Sequence, residues 1–191
     1  MTAALRLLTL ALLFALGTGC DALQPRTPEA PAEESGTFFQ PDTPEQVIDN
    51  LQAAVAELNT LTYRRSLSDA LVFEPTPTAE TQNPSLWPTW SRAEEERYFN
   101  TLAAAATFAS GHELTFQEAV LAIVSESEYQ YDARYTLVVQ HRRPAVPTLV
   151  TGRLVWTLTQ GPDGLWSLAR WTDRSTGDDP TWSDLKVAFV Q

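Results

Sequence analysis

Few residues of this 191-residue chain have both the type and the placement to do chemistry. Histidine is the usual general acid or base, and there are two. His112 follows Gly111 at a helix-to-strand junction, and His141 stands in QHRRP at a strand end. Both positions read as rim or loop. Their spacing fits neither one helix face nor a metal site, so no zinc or copper centre is expected. Among the carboxylates, Glu94, Glu95 and Glu96 fall in the first turn of a helix, where acids complement the dipole and face solvent. Asp178 and Asp179 lie in a turn. Asp173 stands apart, at the end of the last strand, two residues after Trp171. There is no G-x-S-x-G and no glycine-rich phosphate loop, since GPDG has the length of a hairpin turn. No catalytic set and no cofactor is therefore read from the residues. Arg134, Arg153 and Arg170 sit mid-strand. Alternation points them outward, to pair with acids such as Asp132; the sharper alternative is a cation in a pocket, holding an anionic ligand.

Aromatic residues are the other candidates. Tyr129, Tyr131 and Tyr135 share one face of a strand at period two, which reads as packing. Trp156 joins an equivalent face of the next strand. In GLWSLARWTDRSTGDDPTWSDLK, Trp166 and Leu168 share a face, whereas Trp171 takes the opposite parity unless a bulge intervenes. Trp166 and Trp182 are expected to close the core, and Trp171 to line a pocket or an interface. Trp87 and Trp90 lie on the proline-rich stretch PTPTAETQNPSLWPTW and are the better ligand candidates. Long loops in compact domains are often lids, and two exposed indoles need something to cover them.

These residues need elements to hold them. Thr43, Pro44 and Gln46 make a capping box with proline at the first helical position, and Val47, Ile48, Leu51, Val55 and Leu58 form one apolar stripe. A short helical turn covers Leu61–Leu67, followed by a strand that Pro75 closes. Ser91 and Glu94 open a second long helix with Tyr98, Phe99 and Leu102 on its buried face. After Gly111 the period becomes two. ELTFQEAVLAIV, EYQYDARYTLVVQH, TLVTGRLVWTLT and LWSLARWTD read as strands, and DPTWSDLKVAF as a closing turn or short helix. Helices first and a strand meander after make an α+β domain, with N-terminal helices packed on a curved antiparallel sheet.

The amino terminus is of a different kind. MTAALRLLTLALLFALGTGC has one early cation, Arg6, an apolar run from Leu7 to Leu16, small residues and then Cys20, the only cysteine. This resembles a bacterial lipoprotein signal, with Gly17 where leucine is usual. The resemblance implies removal of residues 1–19 and lipidation of Cys20, leaving the protein attached to a membrane of the cell envelope through the lipid. Residues 20–41, rich in Pro, Glu and Ala, read as a disordered tether in which Phe38 and Phe39 are the exception, with docking on the domain as their alternative, and 42–191 reads as one domain. The net charge of −11 argues against nucleic acid as a partner. Arginine supplies 12 of the 13 basic residues; the sole lysine, Lys186, reads as a matter of composition.

The opening helix TPEQVIDNLQAAVAEL, the LSDALVF after it and the hairpin ending in GPDGLWSLARWTD resemble the nuclear transport factor 2-like superfamily. That superfamily has a cone-shaped, cystatin-like roll and includes ketosteroid isomerases and SnoaL-type cyclases. The resemblance implies a pocket between the concave sheet face and the helices, with Trp87 and Trp90 over its mouth. Trp87, Trp90, Tyr129, Tyr131, Tyr135, Trp156, Trp171 and Asp173 are the candidate pocket-lining residues. The isomerases of this fold use an Asp base with a Tyr and a protonated Asp. No such set can be placed position by position here. The expected function is a lipid-anchored, non-catalytic module that binds an apolar small molecule or a protein, with a homodimer through the sheet face as a variant. The alternative is an isomerase, cyclase or dehydratase acting in the pocket.

Overall fold

Thr43 begins the first helix as its sequence requires. Its backbone N–H donates to the Gln46 side chain at 2.9 Å, and Pro44 takes the first helical position. The computed structural model describes residues 36–107 and 110–191. Helix α1 spans Pro44–Glu57 and buries Val47, Ile48, Leu51, Ala54 and Val55. Leu58 ends it in the left-handed region at φ 50°, and Asn59 then caps α2, Thr60–Arg65, by accepting from the Leu61 and Thr62 N–H groups. Strand β1 is Leu67–Glu74.

The proline-rich stretch, expected as a loop, holds a short helix α3, Pro77–Gln82, and a 3₁₀ turn, Trp87–Thr89. Both carry proline at the first or second position, where its missing N–H costs nothing and its fixed φ favours the turn. Helix α4 is Arg92–Ala105, opened by the Ser91–Glu94 capping box. Strands β2 (Glu113–Ser125), β3 (Glu128–Val138), β4 (Leu149–Gln160) and β5 (Trp166–Arg174) follow. Helix α5, Trp182–Val190, closes the chain.

The five strands form one curved, unclosed sheet in the order β1-β5-β4-β3-β2, with helices on its concave side: an α+β fold. Four strands form the expected antiparallel meander, but β1 runs parallel to β5. A strand that precedes α3 and α4 and re-enters beside the last strand has no hairpin to force antiparallel pairing. Alternation holds through the middle of the sheet. Tyr131, Ala133, Tyr135, Leu137, Val150, Leu154, Trp156 and Leu158 all face inward and are buried.

Residues 1–35, including Cys20, lie outside the described residues. The last part of the expected tether does not hang free. The Phe39 N–H donates to the Asn50 side chain, the Asn50 amide donates back to the Phe39 carbonyl, and the Thr37 N–H donates to Glu57 at 2.9 Å. Pro41 accepts from the Trp166 N–H. A boundary at residue 42 therefore cuts through packed chain, and the domain includes residues from about Gly36.

Candidate functional site

The concave face is where a pocket was expected, and the chain's own side chains occupy it. Strand β3 delivers Tyr135 opposite Gly152 of β4. A Cβ at Gly152 would stand 2.6 Å from the Tyr135 hydroxyl oxygen and 2.7 Å from the Arg174 carbonyl, so only glycine leaves room for the phenol. Tyr135 lies across that gap and donates to Asp173 of β5 at 2.8 Å. A carboxyl and a hydroxyl thus converge, as acid–base chemistry would need. Their remaining valences, however, go to α5. The Trp182 N–H donates to the Tyr135 oxygen at 2.7 Å. Ser183 donates to Asp173 through both its N–H, at 2.7 Å, and its hydroxyl, at 2.6 Å. Helix N-termini leave such N–H groups unpaired, and here Tyr135 and Asp173 satisfy two of them. Burial pushes the Asp173 carboxyl above the usual carboxylate range, against the pull of the Ser183 and Tyr135 hydrogen bonds. Burial and the Asp173 charge push the Tyr135 phenol well up.

A second polar cluster lies deeper. Glu95, expected on a solvent-facing turn, and Lys186 are both 0% exposed and form an ion pair. Tyr63 donates to one Glu95 oxygen at 2.7 Å, and the Trp90 indole N–H to the other at 2.8 Å. Aromatic rings surround the Lys186 ammonium: its nitrogen is 3.9 Å from the Trp171 centroid, 4.0 Å from Phe73, 5.1 Å from Tyr98 and 5.4 Å from Trp90. Burial draws its pKa down to about 8, with Glu95 opposing. The Trp182 indole donates to Tyr98 at 3.0 Å.

The structure places the candidate residues as follows. Trp87 and Trp90 are buried, with ring centroids 5.1 Å apart, and both pack on Phe73. Trp87 donates to the Ala79 carbonyl and borders an open cleft of about 630 Å³. Glu74, Pro77, Pro84, Asp173 and Arg174 also line that cleft. Trp156, Trp171 and Tyr135 are buried beneath α5, with Trp171 4.5 Å from Trp182 in an edge-to-face contact. Trp171 reaches this face because β5 slips register against β4 between the partners Thr157 and Leu158. Trp156 then faces Trp171 and Leu158 faces Leu168, so the parity read from sequence is reversed by one residue. Tyr131 and Tyr129 lie toward the far end of the sheet, Tyr131 beside Phe116 and Tyr129 beside Trp166. The two histidines, read as rim, are both buried. His112 accepts from the Gln140 N–H, and His141 packs edge-on against Phe189. Among the described residues no group of His, Cys, Asp and Glu could hold a metal ion. The mid-strand arginines pair outward: Arg134 with Glu118, Arg153 with Asp132 and Glu118, Arg170 with Glu74.

Sequence reasoning missed the Glu95–Lys186 pair. The available signal was that a chain using arginine at 12 of its 13 basic positions keeps a lysine in an otherwise apolar closing segment.

No protein-family model matches the sequence, and no match is found among curated proteins. Solved structures do match. A candidate scytalone dehydratase from Novosphingobium aromaticivorans superposes with a TM-score of 0.56 at 12% identity, covering 72% of this chain and 88% of that one. A candidate aromatic ring hydroxylase from the same organism gives 0.54 at 14%, covering 74% and 92%. A nuclear transport factor 2-like protein of unknown function in nutrient uptake, from Rhodospirillum rubrum, gives 0.53 at 13%, covering 69% and 96%. The fold is nuclear transport factor 2-like. At these identities the likeness concerns the fold alone, and two of the neighbours named for chemistry say nothing of this chain's own. Within this nuclear transport factor 2-like domain, the interior under α5 is packed core, and the open cleft lies outside it, beside β1 and α3.

Proposed function

We propose that the protein is a lipid-anchored module of the bacterial cell envelope that binds a protein partner and turns over no substrate inside its cone. The observation that carries this is an inversion of chemistry. The carboxyl–hydroxyl pair of Asp173 and Tyr135 on the concave face is spent on holding α5, while apolar side chains stand uncovered on β2. Val120, Ile123 and Val124 are exposed on that strand, which is the outer edge of the sheet. An edge strand presents unpaired N–H and C=O groups, and natural edges are usually blunted by charge or proline. Residues 119–124 of β2, AVLAIV, carry neither. The partner this edge fits is a second copy of the chain. Antiparallel pairing about a two-fold axis is self-complementary, and the uncharged stretch lets two molecules of net charge −11 approach. The lipid on Cys20 would hold both copies at one membrane, raising their effective concentration.

Native mass spectrometry of the purified chain tests the reading. A dimer in the parent that becomes a monomer in Ile123→Asp supports it; a monomer in both overturns the homodimer. Detergent-phase partition of Cys20→Ser tests the anchor separately. Loss of partition is expected, and unchanged partition removes the lipid from the account.

A further inference from the structure

Lys186 is the only lysine in the chain, and every other basic position is arginine. It is also wholly buried, on α5, against Glu95 of α4. Arginine would serve an ion pair as well or better, since its guanidinium is weakly hydrated and forks onto a carboxylate. What arginine cannot offer is a primary amine that loses its proton. We propose that Lys186 and Glu95 are a self-modification site: the folded chain joins them through an amide bond between Nζ and Cδ.

The geometry supplies each part of that reaction. The ion pair differs from the reactive pair, neutral amine and carboxylic acid, only by one proton moved from Nζ to Oε2 along an existing hydrogen bond. The Nζ lone pair then attacks Cδ. Charge develops on Oε1, where the Tyr63 hydroxyl already donates at 2.7 Å. A second proton passes from the nitrogen to Oε2, which also receives the Trp90 N–H at 2.8 Å. Oε2 leaves as water and Oε1 remains as the amide carbonyl. Ammonium and carboxylate become amide plus one water, with no oxidant, nucleotide or metal consumed. Fixed neighbours gain effective molarities of about 10⁵ M or more, which offsets the preference for free acid and amine in water. The surroundings favour the product as well. Two charges held among Phe73, Trp90, Tyr98 and Trp171 carry a desolvation cost that a neutral amide does not. Burial also lowers the Lys186 pKa to about 8, so the amine form is within reach near neutral pH.

Peptide mapping of the purified full chain tests this without reference to any partner. Complete trypsin digestion of the denatured protein is expected to yield residues 93–97 joined to residues 175–191. The joined species is one water lighter than the sum, is uncut after Lys186, and fragments to a branch at Glu95. Lys186→Arg should release 93–97 unlinked. Tyr63→Phe should accumulate the branched peptide more slowly after refolding, since the oxyanion donor is gone. Parent protein held folded at pH 8 to 9 that still gives free 93–97 and cleavage after Lys186 would overturn the proposal and leave a plain buried ion pair.

Discussion

Under the helices, Trp156, Trp171, Asp173 and Lys186 are no more than 1% exposed, whereas on β2 of the same sheet Ile123 is 71% exposed. Charge lies inside at one end and hydrocarbon outside at the other, the reverse of the usual gradient. The inner polar groups are tolerated because each has a partner: Glu95 meets Lys186, Tyr63 and Trp90, and Asp173 meets Tyr135 and Ser183. The outer hydrocarbon has no partner among the described residues. Buried charged groups that hold one another fix one arrangement of a core, whereas unmatched apolar surface is free to choose a partner.

The largest way to break the contrast is alkaline pH. Burial holds the Tyr63, Tyr98 and Tyr135 phenols well above their ordinary value of 10. Their folded pKa is raised, so their stabilisation is full below pH 10 and is lost as pH rises above it, because the unfolded chain ionises first. Tyrosinate absorbance and loss of helix signal should rise together above pH 10. Lys186 works in the opposite sense. Its lowered pKa makes stability increase between about 8 and 10.5, provided it is still an amine. A flat profile in that window is the signature of the amide.

Next in size, Glu95→Ala strands Lys186 in the core and should cost about 3–5 kcal/mol in denaturant unfolding. Trp87→Ala, which truncates a buried indole packed on Phe73 and Trp90, belongs at about 3–5 kcal/mol as well. A cost near zero would mean that the rings seal nothing. Gly152→Ala should cost about 1–3 kcal/mol, since Tyr135 must leave Asp173 or the β4 backbone must move. The smallest expected effect on stability is at the outer end. Val124→Thr should change it by no more than about 0.5 kcal/mol while weakening self-association in sedimentation, because the side chain touches little in a single copy. A large stability loss there would show that this end is core and not an interface.

The sequence carried most of the architecture. Capping boxes at Thr43 and Ser91, the apolar stripe of α1 and the period-two faces of β3 and β4 are local signals, written in residues a few positions apart. Local signals could not show that β1 lies parallel to β5, because that pairing joins residues about a hundred positions apart. They also could not show the slip in β5 that turns Trp171 inward, since one bulge reverses parity without altering composition. The site was the least legible part. Asp173, Tyr135 and Trp171 stood out by residue type, but whether a carboxyl and a hydroxyl serve catalysis or cap a helix depends on what the final nine-residue helix fills. The pairing of Glu95 with Lys186 spans 91 positions and follows no repeat, so in the chain each was only one more glutamate in a run and one stray lysine. The sequence by itself determined the two long helices and the strands of the meander, because propensity, capping and periodicity act over a turn or two. Only the tertiary structure decided where the charges go, because burial and pairing depend on which distant segments meet.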